Sequence, residues 1–181
     1  AMLVVDGPAD FELMTKLTSP SGLVSNTNCV REGAVHNVEG FDSDNQTFIR
    51  FINTGTSTIS DITGTLRDEA GGVIGSADVV LRSALGAKQQ VWLNRNTLSG
   101  LVSAEWNGVA SLEITSSAPD LKLLNLNFVN GETFFNFSCF ATSESGGIYL
   151  MTTSNSENVS ETHIINTADE AQTFSGTIYN G

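Results

Sequence analysis

Basic residues are scarce in this chain. Eight Lys+Arg stand against 20 Asp+Glu, leaving a formal net charge of −12. A surface of that sign repels phosphate backbones, so no nucleic-acid partner is expected. The charges are scattered rather than clustered, which suits a soluble, well-solvated surface. Long apolar runs are missing too. Nothing approaches the ~20 residues that a membrane-spanning helix needs, so no membrane insertion is expected. The opening Ala1-Met2-Leu3-Val4-Val5-Asp6 reaches an acid early and has no basic start, so it does not read as a secretory leader. The segment is expected to be a mature or excised stretch.

The spacings on which bond-making chemistry is usually built are also missing. No Gly-x-Ser-x-Gly elbow occurs. Gly71-Gly72 reads as a hairpin turn, not as a phosphate-holding loop between a strand and a helix. His36 and His163 have no Cys or His at zinc-ligand spacing. No pair of carboxylates stands out for sugar hydrolysis. The chain is expected not to be an enzyme.

What the sequence does hold is Ser, Thr, Asn and Gly in abundance around a 40% hydrophobic fraction. That mixture suits sheet surfaces and turns. The organising stretch is residues 48 to 72, which reads as two strands, a loop between them and a tight glycine turn at the end. Ile62, Gly64 and Leu66 alternate with Thr63, Thr65 and Arg67, so the first set is expected to face a core. A charge at Leu66 should unfold the domain, and one at Thr65 should be tolerated. Phe11–Thr18, Leu23–Val30, 33–40, Val73–Leu81, Gln89–Asn94 and Val109–Thr115 read as further strands, with a short helical turn over Asn96–Leu101. Trp106-Asn107-Gly108 reads as a hairpin turn. Asn130-Gly131 between the apolar runs Leu121–Val129 and Thr133–Phe140 is the strongest hairpin signal in the chain.

The pattern recurs. Phe51-Ile52-Asn53-Thr54 matches Ile164-Ile165-Asn166-Thr167 at an offset of 113, and Gly64-Thr65-Leu66 matches Gly176-Thr177-Ile178 at 112. Asp10 and Asp120 share an offset of 110 with Cys29 and Cys139. A period near 110 residues is the size of one sandwich domain. The expected organisation is a complete repeat over residues 31–140, the C-terminal strands of a preceding repeat over 1–30, and the N-terminal strands of a following one over 141–181. Short strands, frequent turns and no long helix give the fold class: all-β, an antiparallel β-sandwich.

Arg50-Phe51-Ile52-Asn53-Thr54-Gly55, with the hairpin from Gly64 to Gly72, resembles the tandem immunoglobulin-like or fibronectin-III-like β-sandwich repeats of bacterial surface and secreted proteins. The cysteine pair and core tryptophan of antibody domains are absent at their usual spacing. The resemblance implies a spacer, adhesive or structural role at an extracellular or cell-surface location. The expected function is a non-catalytic filament or stalk subunit, assembled head-to-tail with copies of itself by strand complementation. The alternative is an adhesin or carbohydrate-binding module that takes surface glycans.

Four sets of residues are candidates for a site. Val91 and Leu93 should point inward, leaving Trp92 outward with Gln90 and Asn94, an arrangement that can stack on a sugar or cover a sheet edge. Asp42, Asp44 and Asn45 could supply oxygens to calcium, or be ordinary loop residues; no other cofactor is expected. Cys29 and Cys139 are either a disulfide closing a loop of about 110 residues or two small buried side chains at equivalent places. Asn45-Gln46-Thr47, Asn136-Phe137-Ser138 and Asn158-Val159-Ser160 fit the glycosylation pattern, as chance alone provides in such a composition.

Overall fold

The computed structural model describes residues 16–18, 24–26, 35–39, 46–116, 118–129, 133–136, 170–173 and 175. The chain divides into two compact units, Ala1–Ala141 and Thr142–Gly181. Every element named below lies in the first. In order these are β1 (Lys16–Thr18), β2 (Val24–Asn26), β3 (Val35–Glu39), β4 (Gln46–Asn53), β5 (Ile59–Arg67), β6 (Val79–Leu85), β7 (Gln90–Asn94), α1 (Arg95–Val102), β8 (Val109–Thr115), β9 (Leu121–Val129) and β10 (Thr133–Asn136). The described residues are thus mostly β, with one short helix.

The strands form two four-stranded antiparallel sheets, β10-β9-β4-β7 and β3-β8-β5-β6, and a separate β1–β2 pair. Alternation explains which sides face each other. From the first sheet Ile49, Phe51, Leu93, Leu121 and Leu123 enter the core; from the second, Ile62, Leu66, Leu81, Leu85 and Leu112 meet them. Each fully buried aliphatic or aromatic side chain contributes roughly 1.5–3 kcal/mol of transfer free energy. On β9 this inward row changes from Leu121 and Leu123 to Asn125 and Asn127, and the apolar cluster ends there.

The helix packs against β4, β6 and β7. Asn94 caps it, its Oδ1 accepting from the Thr97 backbone N–H at 2.9 Å and from Thr97 Oγ1 at 2.9 Å. Leu98 and Val102, four apart on one face, are buried in the core. Ser103 closes the helix in the left-handed conformation, and the Ser76 N–H donates to the Val102 carbonyl. The sequence suggested a helical turn over Asn96–Leu101; the cap and these two anchors extend it to Arg95–Val102.

The strands at 46–53 and 59–67 lie in different sheets, so the loop between them crosses the core. Two further expectations change. The strand expected from Val73 begins at Val79. Before it, Val73 makes a single bridge to Arg67 and the Asp68 carboxylate gathers the turn by accepting from the Ala70 and Gly72 N–H groups. Trp106-Asn107-Gly108 is a helix-to-strand connection rather than a hairpin, and Trp106 is buried in the core.

The phase of β5 is as expected: Ile62, Gly64 and Leu66 are buried inward. Thr65 faces the other way yet is only 4% exposed. The chain leading into β6 folds over it, with the Asp78 N–H donating to Thr65 Oγ1 at 3.0 Å. Two residues of the organising stretch do work that no other side chain could do there. Asn53 is fully buried; its Nδ2 donates to the carbonyls of Ser57, Leu85 and Gly86 at 2.7, 3.0 and 3.0 Å, and its Oδ1 accepts from the Gly55 N–H at 2.9 Å. Gly64 must lack a side chain, because a Cβ would meet Leu81 Cδ1 at 2.7 Å and the Glu113 carbonyl at 2.8 Å.

The Leu121–Val129 and Thr133–Asn136 strands pair as the Asn-Gly signal implied, with Leu126 opposite Asn136, Asn127 opposite Phe135 and Phe128 opposite Phe134. The turn itself lies outside the described residues. In the β1–β2 pair Lys16 is opposite Asn26, Leu17 opposite Ser25 and Thr18 opposite Val24.

Candidate binding face

The outward side of the β9-β4-β7 sheet forms a grid fixed by strand register. One row holds Leu126, Phe48 and Asn94; the next Leu124, Arg50 and Trp92; the third Lys122, Ile52 and Gln90. Period-two alternation puts these residues opposite the core-facing set, and so they should meet water. The β9 column does not. Leu124 and Leu126 are 2% and 6% exposed although neither belongs to the apolar cluster between the two sheets. Exposure then rises across the sheet: Phe48, Arg50 and Ile52 are half-buried, and Trp92 on the edge strand β7 is 44% exposed.

Trp92 is held from two sides. The Phe48 ring meets it edge-on, centroids 6.4 Å apart at 90°. The Arg50 guanidinium carbon lies 5.0 Å from the indole centroid, a cation–π contact between directly paired residues. Burial lowers the Arg50 pKa from its ordinary value, because a half-buried cation has lost part of its water. Gln90 lies two residues along on the same side, its Oε1 enclosed with no hydrogen-bond partner among the described residues. Asn94 is exposed, and its Oδ1 is committed to the helix cap.

The predicted trio Trp92, Gln90 and Asn94 is therefore one side of one strand, with Val91 and Leu93 turned to the core. Sequence reading missed Arg50 and Phe48. Their place beside Trp92 is a matter of cross-strand register between segments 42 residues apart, since Arg50 pairs with Trp92. The arrangement places an aromatic ring, a planar cation and two amide side chains on one side of the sheet.

Asp42, Asp44, Asn45, Cys29, Cys139 and His163 lie outside the described residues, as does the His36 side chain. Among the described residues no three His, Cys, Asp or Glu groups come together as a metal site, and no helix is long and apolar enough to cross a membrane. No family profile matches the chain, and no curated protein and no solved structure matches it.

Proposed function

We propose that this chain is a non-catalytic structural protein made of tandem immunoglobulin-like β-sandwich repeats, working at the cell surface or outside the cell as part of a filament or stalk. The observation that carries the reading is the agreement of two hairpins. Adding 110 to Lys16↔Asn26, Leu17↔Ser25 and Thr18↔Val24 gives Leu126↔Asn136, Asn127↔Phe135 and Phe128↔Phe134, the pairing of β9 with β10. This offset is the one that relates Asp10 to Asp120 and Cys29 to Cys139 in the sequence. Two unrelated hairpins have no reason to share a register, because a slip of one residue turns every side chain over.

The recurring motifs support the same reading. Asn53 and Gly64 are the positions in the organising stretch where backbone geometry admits little else, and Asn166 and Gly176 repeat them. A recurrence confined to surface residues would carry less weight.

The immunoglobulin-like assignment draws on strand order. In a constant-type immunoglobulin domain strands B and E share one sheet, C and F the other, and the chain crosses between sheets from B to C and from E to F. Here β4 and β7 are neighbours, β5 and β8 are neighbours, and the chain crosses from β4 to β5 and from β7 to β8. The flanks differ. β9 lies beside β4 where an immunoglobulin domain has its first strand, β3 lies beside β8 where it has its last, and β6 pairs with β5 where the constant-type fourth strand lies beside the fifth.

Head-to-tail assembly is tested by light scattering of the purified chain with and without residues 1–30. The reading expects concentration-dependent growth in mass that is lost on truncation. A strictly monomeric, well-folded full chain at high concentration would rule assembly out.

A further inference from the structure

We propose that the outer edge of β7 docks on β7 of a second copy of the chain, the two strands running antiparallel about a two-fold axis at Trp92. This contact is separate from the head-to-tail assembly above and does not depend on it.

The first ground is the edge itself. Among the described residues the two four-stranded sheets end at β10 and β7 and at β3 and β6. Edges that stay single are guarded by charges, prolines, bulges or a covering segment. β3 carries Glu39 and a break in its register with β8. β6 carries Arg82 and a break in its register with β5. β10 lies against β2. β7, Gln90-Val91-Trp92-Leu93-Asn94, has no charge, no proline and an unbroken register with β4. Trp92 is 44% exposed and Asn94 is exposed, so water reaches this edge.

The second ground is the direction of the backbone groups. The Asn53 N–H donates to the Gln89 carbonyl at 2.9 Å, which makes theirs a hydrogen-bonded pair. Antiparallel strands alternate bonded and non-bonded pairs. Phe51–Val91 and Ile49–Leu93 are therefore bonded pairs, and Ile52–Gln90, Arg50–Trp92 and Phe48–Asn94 are not. The N–H groups of Gln90, Trp92 and Asn94 thus point away from β4, as do the Gln90 and Trp92 carbonyls. Such a row is complementary to another strand.

The third ground is self-complementarity. The Gln89 N–H closes a turn onto the Gly86 carbonyl and α1 begins at Arg95, so the edge is Gln90–Asn94 and no longer. One antiparallel register pairs all of it with itself: Trp92 on Trp92, Val91 on Leu93, Gln90 on Asn94. That register sets ring beside ring and amide beside amide on the outward side, and apolar beside apolar on the inward side. The Trp92 pair exchanges both N–H···O bonds, and each Asn94 N–H meets a Gln90 carbonyl. Charge favours the same edge. Two copies at −12 repel each other, and an uncharged strand is where they can approach. A two-fold contact closes at a dimer, whereas a head-to-tail one continues.

Amide hydrogen exchange of the full chain, followed by nuclear magnetic resonance from dilute solution up to about 1 mM, tests the contact. The Trp92 backbone N–H is expected to gain about tenfold in protection as concentration rises. The Val91 and Leu93 N–H groups, bonded to β4, should be protected throughout. Sedimentation equilibrium of two double variants tests the register. Gln90→Lys with Asn94→Asp leaves the net charge at −12 (−12 + 1 − 1) and sets opposite charges across both ends of the contact, so it should dimerise about tenfold more tightly. Gln90→Glu with Asn94→Asp sets like charges there and should lose the dimer. Aspartate keeps the helix cap in both, and unchanged melting confirms that they fold. The exchange measurement needs neither variant. A Trp92 N–H that exchanges alike at all concentrations would overturn the contact, and any growth in mass would then belong to the head-to-tail ends. A Trp92 N–H that gains protection while the two variants associate alike would place a different strand on β7 and overturn the two-fold pairing.

Discussion

Replacing Asn53 by alanine should remove a large part of this domain's stability. The side chain is wholly buried and its amide makes contacts to Ser57, Leu85 and Gly86 carbonyls, while its oxygen takes the Gly55 N–H. Two N–H donors and one acceptor amount to about three bond equivalents, each with a net worth of about 1 kcal/mol. Truncation also strands buried backbone groups and leaves a small cavity, so the total is about 3–5 kcal/mol. Domains have only about 5–15 kcal/mol to lose. The melting temperature should fall by roughly 6–20 °C. Urea denaturation followed by circular dichroism reads the free energy directly, with an unchanged slope showing that the same surface is exposed. Asn53→Asp should do worse than alanine, because a charged oxygen would then face three carbonyls. Thr54→Val is the local control: it loses one exposed bond, from Oγ1 to the Asp120 carbonyl, and should lose less than about 1 kcal/mol. A cost below about 1 kcal/mol for Asn53→Ala would refute the reasoning.

Other substitutions test the facing of strands. Leu66→Asp should unfold the domain by placing an unpaired charge in the core, whereas Val80→Asp, at a site 47% exposed, should be tolerated; equal melting would overturn the assignment. Thr65→Asp should also destabilise, against the sequence expectation, because it would set a carboxylate under Asp78, whose Oδ1 is 3.4 Å from Thr65 Oγ1. Asn127→Leu should raise stability by about 1 kcal/mol, since the Asn127 amide is buried with no partner among the described residues; calorimetry showing a loss of that size would mean the amide is satisfied.

Sequence reading reached the strands wherever side chains alternate. The inward row of β5 and the outward turn of Trp92 both follow from a period of two and nothing else. It failed where the answer is set by partners distant in the chain. A short loop after Asn53 is compatible with a strand that pairs back and with one that crosses to the opposite sheet, and only the core decides. The two tryptophans are alike in sequence. One lies in a strand with apolar neighbours turned inward; the other, Trp106, follows a helix whose length depends on Leu98 and Val102 finding the core. Arg50 looked like any outward strand residue until β7 was laid beside β4. The cover over Leu124 and Leu126 was invisible for the same reason: alternation predicts a side, not what lies against it.

The crossing of the chain between sheets has a consequence for how the protein is made. Ile49 pairs with Asn125, so β4 lacks its β9 neighbour until a further 76 residues (125 − 49) have been added. At 5–20 residues per second that is a wait of roughly 4–15 s. During it the run Phe48-Ile49-Arg50-Phe51-Ile52 is a strand-forming segment with an unfilled edge, the kind that recruits other chains. Four of its five residues are large and apolar. The fifth is Arg50, at the centre, where one charge splits the run into two pairs too short to nucleate a stack. The residue that later lies against Trp92 thus guards the nascent chain before Trp92 has found its place.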